Sequence, residues 1–392
     1  MRSTGTYVTT STSGESVRAF IPFALAPANP PMARASLAAA NRIAELALAR
    51  LSGMTALVPS VDWLLYSAIR KEALITSQIE GTQATLADLF DQEAGVAVIN
   101  TKDVEEVSNY LRAFHHVQEN LRSATGLPLS VRLLCDAHRL LLDGVRGASK
   151  QPGELRRSQN WIGGTRPGNA TFVPPPPERL PELLADLERF IHSADTDALN
   201  EESALPLLVK IALIHVQFET IHPFLDGNGR IGRLLISALL EHWGLLPEPL
   251  IYFSGYVKQH QLEYYRRLSA VRTEGDWEAW TLFFLEGITS AAAQAEQQIA
   301  AIAAHLSADR AKLLASPKTG STCYRLFELL PTMPRFSIDA VRQKLSISFP
   351  TASAAVKKLS DLGITTELTG QKKNRHYSYQ GYIELLSGPE LT

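Results

Sequence analysis

The chain has 392 residues, 45% of them hydrophobic, and a formal charge of −2 at pH 7. That length allows two or three domains and a sizeable core, and the composition excludes a disordered chain. The near-zero charge excludes a chain-wide affinity for nucleic acid or for an anionic membrane.

Residues 1–15 are rich in Ser, Thr and Gly, and the stretch 1–19 is expected to be disordered. Phe20 to Pro31 reads as an extended, proline-punctuated arm lying over another surface. A helix follows from Ala35 and closes on Gly53 as a C-cap. A second starts at a Ser60 cap and stops at Gly81. Thr85 and Asp88 then form a capping box for a short helix into Phe90. Helices continue over 103–121 and 130–145. Between Gln151 and Pro177 the pattern changes to two short β-prone runs around a Gly/Pro/Asn turn, with four prolines behind. This predicts a hairpin flap in an otherwise helical protein. Helices resume over 178–194, 205–221 and 229–244, and an Ala-rich helical connector runs from Trp277 to Ser316. The two cysteines, Cys135 and Cys323, lie in apolar helical contexts and are expected to be buried thiols of a reducing compartment. No signal-peptide core and no run of about 18 apolar residues is present, so a soluble, cytoplasmic protein that does not enter the membrane is expected.

The stretch "HPFLDGNGRIGR", His222 to Arg233, carries the chemistry. Gly227 to Gly232 spells G-x-G-x-x-G, but a dinucleotide fingerprint must follow a buried strand. Here the preceding residues Leu207, Leu208, Ile211, Ile214 and Phe218 are apolar at helical spacing and run too long for a strand. The alternative is a loop at the start of a second helix. Gly227, Asn228 and Gly229 then turn backbone N–H groups toward one point, at the positive end of a helix that continues through Ile231 and Gly232. That arrangement suits a phosphate. Arg230 and Arg233 share one face of the first turn and can both reach the anion. Asp226 supplies a hard oxygen beside it, as Mg²⁺ prefers, and His222 titrates near neutrality. Each residue alone has an ordinary structural explanation. Six of them within twelve positions do not.

These residues resemble the core motif of the Fic family of protein adenylyltransferases, H-P-F-x-[D/E]-G-N-G-R-x-x-R. His222, Pro223, Phe224, Asp226, Gly227, Asn228, Gly229, Arg230 and Arg233 match every fixed position. The resemblance implies a mostly α fold: a helical bundle with a β-hairpin flap. It implies that His222 deprotonates a Ser, Thr or Tyr hydroxyl of a target protein, which then attacks the α-phosphate of ATP. Asp226 would hold Mg²⁺ between the α- and β-phosphates. Asn228 and the glycine amides would seat the phosphates, with Arg230 on the β- and Arg233 on the γ-phosphate. Trp161, Ile162, Gly163 and Gly164 match the flap stretch that pairs with the target's backbone by strand addition and contacts the nucleotide. Tyr264 and Tyr265 resemble a tyrosine pair near the adenine, with core packing the alternative.

"TSQIEG", Thr76 to Gly81, matches a second family pattern, [S/T]-x-x-x-E-[G/N], which is inhibitory. Glu80 is an acid in the last turn of a helix, where the macrodipole disfavours it by about 0.3–1 kcal/mol. The family partner for that Glu is the second motif arginine, here Arg233, so the resemblance implies autoinhibition and a possible reverse activity. Residues 321–386 resemble a winged helix-turn-helix, with Lys357 and Lys358 on the recognition helix and Lys372, Lys373 and Arg375 on the wing. Nine basic residues against five acidic ones are compatible with DNA or with a protein contact.

The expected partition is a disordered 1–19, an arm and inhibitory region 20–100, and a catalytic core 101–276 with the flap 151–177. A connector 277–318 and a winged-helix domain 319–392 complete it. A homodimer, a docked target protein and self-adenylylation are expected. The rival readings are a DNA-binding regulator using the Fic domain as a nucleotide sensor, and a Doc-like kinase. Relatives of the kinase type carry Lys where this chain has Gly229.

Overall fold

The structure, a computed structural model, describes residues 2–27, 31–193, 205–317, 319–371 and 373–388. In chain order it has strands β1 (Gly5–Thr12) and β2 (Glu15–Pro22), then helices α1 (Arg34–Gly53), α2 (Val61–Ile79), α3 (Leu86–Glu93) and α4 (Thr101–Arg122). These are followed by α5 (Val131–Leu141), α6 (Leu180–His192), α7 (Leu207–Ile221), α8 (Asn228–His242), α9 (Phe253–Gln259), α10 (Gln261–Glu274) and α11 (Trp277–Ala315). The last elements are α12 (Ser321–Leu329), β3 (Arg335–Ser337), α13 (Ile338–Leu345), α14 (Phe349–Asp361), β4 (Thr366–Glu367), β5 (His376–Ser378) and α15 (Gln380–Ser387). The fold is mostly helical with small sheets.

The chain divides into two compact units. The first comprises Met1–Arg50, Asn109–Pro249 and Phe253–Ala291. At its centre lies α7, mostly apolar and buried from Leu208 to Ile221, including its polar residues Lys210, His215, Gln217, Glu219 and Thr220. Trp280, wholly buried, donates its indole N–H to the Ala212 carbonyl at 2.8 Å. The second unit comprises Leu51–Ser108, Leu250–Tyr252 and Ala292–Thr392. Its three-stranded antiparallel sheet has the order β3-β5-β4. Within this unit Tyr382 on α15 donates to the Trp63 carbonyl on α2 at 3.2 Å, and Arg335 pairs with Asp91 at 3.3 Å.

Local signals hold where caps and turns specify them. Ser60 accepts from the Asp62 N–H, and the Thr85–Asp88 capping box is complete. Four expectations change. Residues 5–19 are not disordered: with Phe20 to Pro22 of the expected arm they form an antiparallel hairpin with Thr12 opposite Glu15. The two-residue turn is made by Ser13 and Gly14, both at positive φ, which matches the twist of the strands. Gly53 is not a left-handed cap, since its φ is −66° and the chain runs on into a 3-10 turn. The flap is a wide loop pinched at a single bridge, Ile162 opposite Phe172. Two successive left-handed glycines, Gly163 and Gly164, and the prolines behind it prevent a longer ladder. Finally, 319–388 falls in one compact unit with α2 and α3 rather than apart from them, and α11 contributes to both units.

Candidate active site

The motif forms a loop between two helix ends. α7 ends at His222, whose backbone is left-handed (φ 50°, ψ 62°) and whose N–H donates to the Phe218 carbonyl at 2.9 Å. α8 begins after Gly227, also left-handed at φ 77°. A non-glycine residue there would be strained and would crowd Leu141 at 3.2 Å. Asn228 closes the loop between them. Its side-chain oxygen accepts the Phe224 N–H at 2.9 Å, and its amide donates to the Phe224 carbonyl at 2.8 Å. These two bonds fix the shape of the loop around the position expected to seat the phosphates.

Exposure within the motif is selective. Asn228, Arg230 and Arg233 are buried, whereas His222, Asp226 and Gly229 are half-exposed. Two arginines of α8 are thus buried, while His222 and Asp226 keep part of their surface open, with the His222 Nδ1 on the buried side of its ring. Asp226 accepts the Gly227 N–H at 2.7 Å and lies 3.8 Å from Arg230. A methyl group on Gly147 would come within 2.8 Å of the other Asp226 oxygen. The left-handed loop after α5 therefore fits against this carboxylate only as glycine.

Gly232 has a packing role. An added carbon there would meet the Glu219 carboxylate at 2.3 Å and the His215 ring at 3.3 Å, so its absence lets α7 and α8 approach closely. His215 is wholly buried; it donates from Nδ1 to the Gly232 carbonyl at 3.0 Å and accepts from the Tyr264 hydroxyl at 2.8 Å. Tyr264 is thus engaged in the core at 2% exposure, while Tyr265 is 49% exposed. Ile231 is buried. Ile162, Gly163 and Gly164 lie at the flap's bridge and turn. Thr76 is buried on α2; Glu80 is the half-buried C-cap of that helix, and Gly81 turns the chain away at φ 98°.

Two residues that sequence reasoning missed hold the loop in place. His138 on α5 accepts the Gly153 N–H at Nδ1 (2.9 Å), contacts the Asp226 carbonyl through Nε2 (3.0 Å) and stacks on Phe224 at 3.9 Å. With Nδ1 an acceptor, Nε2 carries the proton and the ring is neutral. Burial, with help from the nearby Arg230 charge, pushes its pKa down to about 4, and burial pushes His215 down to about 3. The unfolded chain binds protons at these sites near pH 6.5 and the folded chain does not. Stability should therefore fall as pH drops from about 6.5 toward 4. Urea midpoints measured across that range check this, and His138→Gln should make the slope shallower.

The second is Arg156, 2% exposed. Its guanidinium donates to the carbonyls of His222 (2.9 Å), Pro175 (2.6 Å), Ser158 (3.3 Å) and Ile221 (3.4 Å), and its backbone N–H donates to Pro223 (3.0 Å). A cation at the negative end of α7 is favourable, and this one ties both sides of the flap to the His222 turn. Burial lowers its pKa to about 10, leaving it charged at neutrality. Arg156→Ala should strand several buried carbonyls and cost about 2–4 kcal/mol in urea unfolding. Arg156→Lys should recover only part, lacking the planar fork. The only sequence signal was an Arg shortly before "NWIGG".

Comparison with known proteins agrees with this geometry. Residues 38–119 match the family model described as Fic/DOC family N-terminal, and residues 128–240 the model Fic/DOC family. A protein adenylyltransferase Fic of Drosophila grimshawi is 28% identical over 214 residues, which are 53% of this chain and 39% of that protein. That of Drosophila ananassae is 28% identical over 217 residues, 54% and 38%. The chain thus spans about two fifths of the length of these curated relatives. A Fic family protein from Desulfovibrio desulfuricans G20 shares the fold at a TM-score of 0.53 and 21% identity, covering 86% of this chain and 95% of that one. A Fic domain containing signaling protein from Bacteroides thetaiotaomicron VPI-5482 does so at 0.51 and 21%, covering 64% and 95%.

Proposed function

We propose that this chain, which belongs to the Fic/DOC family, is a protein adenylyltransferase that moves AMP from ATP to a Ser, Thr or Tyr hydroxyl of a protein target. The observation that carries the reading is a half-exposed His222 at the end of α7, one loop away from two buried arginines in the first two turns of α8. Loop amides and guanidiniums in fixed positions hold and neutralise a triphosphate. His222 takes the proton of the incoming hydroxyl. The hydroxyl oxygen bonds to the α-phosphorus, the bond from that phosphorus to the bridging oxygen breaks, and pyrophosphate leaves. His138, Arg156 and Asn228 hold the loop, and positioning supplies much of the rate.

Asp226 fits one Mg²⁺ contact: its carboxylate is 37% exposed at the start of α8, and Mg²⁺ takes one or two carboxylates with phosphate oxygens and water. The ion would neutralise phosphate charge. Among the described residues no cluster of three or more metal-ligating side chains occurs, as suits a metal that arrives with the nucleotide. No helix of the described residues is long and apolar enough to cross a membrane.

The target docks along the flap and the protein adenylylates itself. Glu80 acts as a brake on Arg233, on the strength of the "TSQIEG" match. The decisive experiment incubates the protein with α-labelled and, separately, γ-labelled ATP. Label entering protein from the α-position alone supports AMP transfer; label from the γ-position supports the kinase reading and defeats this one.

A second reading, a winged helix that binds duplex DNA, is favoured by the sequence of α12, β3, α13, α14 and the β4–β5 pair. Lys357 on α14 and Lys373 and Arg375 between β4 and β5 are exposed, and Lys372 lies outside the described residues. If the reading holds, changing Lys357 and Lys358 to Ala weakens duplex binding and flattens its salt slope by up to about two. A gel shift across salt concentrations checks this, and no binding at low salt leaves a protein-contact module.

A further inference from the structure

The hairpin β1–β2 is built onto the flap. The Phe20 N–H donates to the Val173 carbonyl at 2.9 Å. Val17, Ala19 and Val173 form one buried cluster, with Val8, Trp161 and Ala170 packed against it. The rings of Phe20 and Phe172 lie 6.3 Å apart, and Arg272 covers the Phe172 ring at 4.0 Å. At the tip, Glu15 accepts the Gly168 N–H at 3.1 Å and pairs with Arg166.

Hydrogen-bond direction shows what this does to the flap's edges. Ile162 turns both backbone groups toward Phe172, accepting from it at 3.1 Å and donating to it at 2.8 Å. In an antiparallel pair the next residue along points the other way, and Val173 accordingly points at Phe20. The 171–173 run is therefore enclosed between Ile162 and β2. A peptide backbone can then join at the opposite edge, beside Trp161 and Gly163, where the Trp161 N–H is held by the Asn160 side chain at 2.8 Å and a docking strand would displace it. With a single bridge of its own, the flap would otherwise be a marginal two-stranded ribbon.

Resting on the adenylyltransferase reading, we propose that the hairpin of residues 5–22 is the fixed inner part of the target-docking sheet. It closes one edge of the flap and orders it, so that the protein target joins only beside Trp161 and Gly163. The hairpin is a positioning element for the acceptor and has no part in holding ATP.

The test uses the full chain carrying Glu15→Ala and Val17→Asp, with Val17→Ile as the conservative control. Three quantities are measured: amide exchange, ATP affinity by calorimetry, and α-label incorporated into the protein itself. The expected result is exchange at Ile162, Thr171 and Phe172 at least tenfold faster, with His222 and Ile231 unchanged. ATP affinity stays within twofold, label incorporation falls at least tenfold, and Val17→Ile behaves as the unmodified protein. Unchanged exchange, faster exchange with undiminished labelling, or a parallel loss of ATP affinity would each overturn the proposal. If the unmodified protein takes up no α-label, the transferase reading fails, and this role for the hairpin fails with it.

Discussion

Replacing His222 with Ala should abolish AMP transfer while ATP still binds. In the proposed mechanism the base acts on the acceptor hydroxyl, whereas Arg230, Arg233 and the loop amides hold the phosphates, so the two properties should separate at this residue. General-base catalysis contributes about 10²–10⁴-fold, so a rate below a few per cent of the unmodified one is expected. The backbone at 222 is left-handed (φ 50°), which costs an ordinary L-residue about 1–2 kcal/mol whether it is His or Ala. The loop is therefore not released by the change. Incorporated AMP and ATP affinity measured on the same preparation decide the matter. Transfer retained above a few per cent sinks the assignment of His222 as base, and loss of ATP binding would mean that the loop had collapsed.

The second large effect is expected at Glu80, where Gly should raise AMP transfer, including transfer onto the protein's own hydroxyls. Glu80 caps α2 with φ −88° and ψ 6°, and Gly81 carries the turn that follows. Glycine therefore adopts the backbone of position 80 without strain, and the substitution tests the carboxylate. A charge-assisted hydrogen bond is worth about 1.5–3 kcal/mol. On the proposed brake, freeing Arg233 from one would shift the competent fraction by roughly ten- to a hundred-fold in rate. Replacing Arg233 as well should cancel the gain, because the freed γ-phosphate clamp would then be missing. A time course of incorporated AMP for the unmodified, single and double variants reads this out. A Glu80→Gly protein no faster than the unmodified one would make Glu80 an ordinary helix-end acid.

The sequence by itself determined what contiguous residues determine. The motif from His222 to Arg233, the capping box at Thr85 and Asp88, the Ser60 cap and the helical spacing of apolar residues in α7 each act within a few positions. A cap, a positive φ or a helical period is a local demand of the backbone, so each was legible. The helix–loop–helix setting that ruled out a dinucleotide fold followed from the period of 207–221 alone.

The tertiary structure decided everything that depended on partners distant along the chain. Residues 5–19 looked disordered because their Ser and Thr content outweighs their few apolar residues. They fold because Val17 and Ala19 find Val173, a contact no local pattern announces. Arg156 reads as one of many surface arginines until it is seen on the carbonyl of His222, 66 positions later. Tyr264 could face adenine or the core, and the hydrogen bond to His215 places it in the core. The C-terminal segment looked autonomous, yet Tyr382 reaches Trp63 across 319 positions. Burial and hydrogen-bond satisfaction are properties of the packed molecule, so a polar residue's role is settled only when its partners are in place.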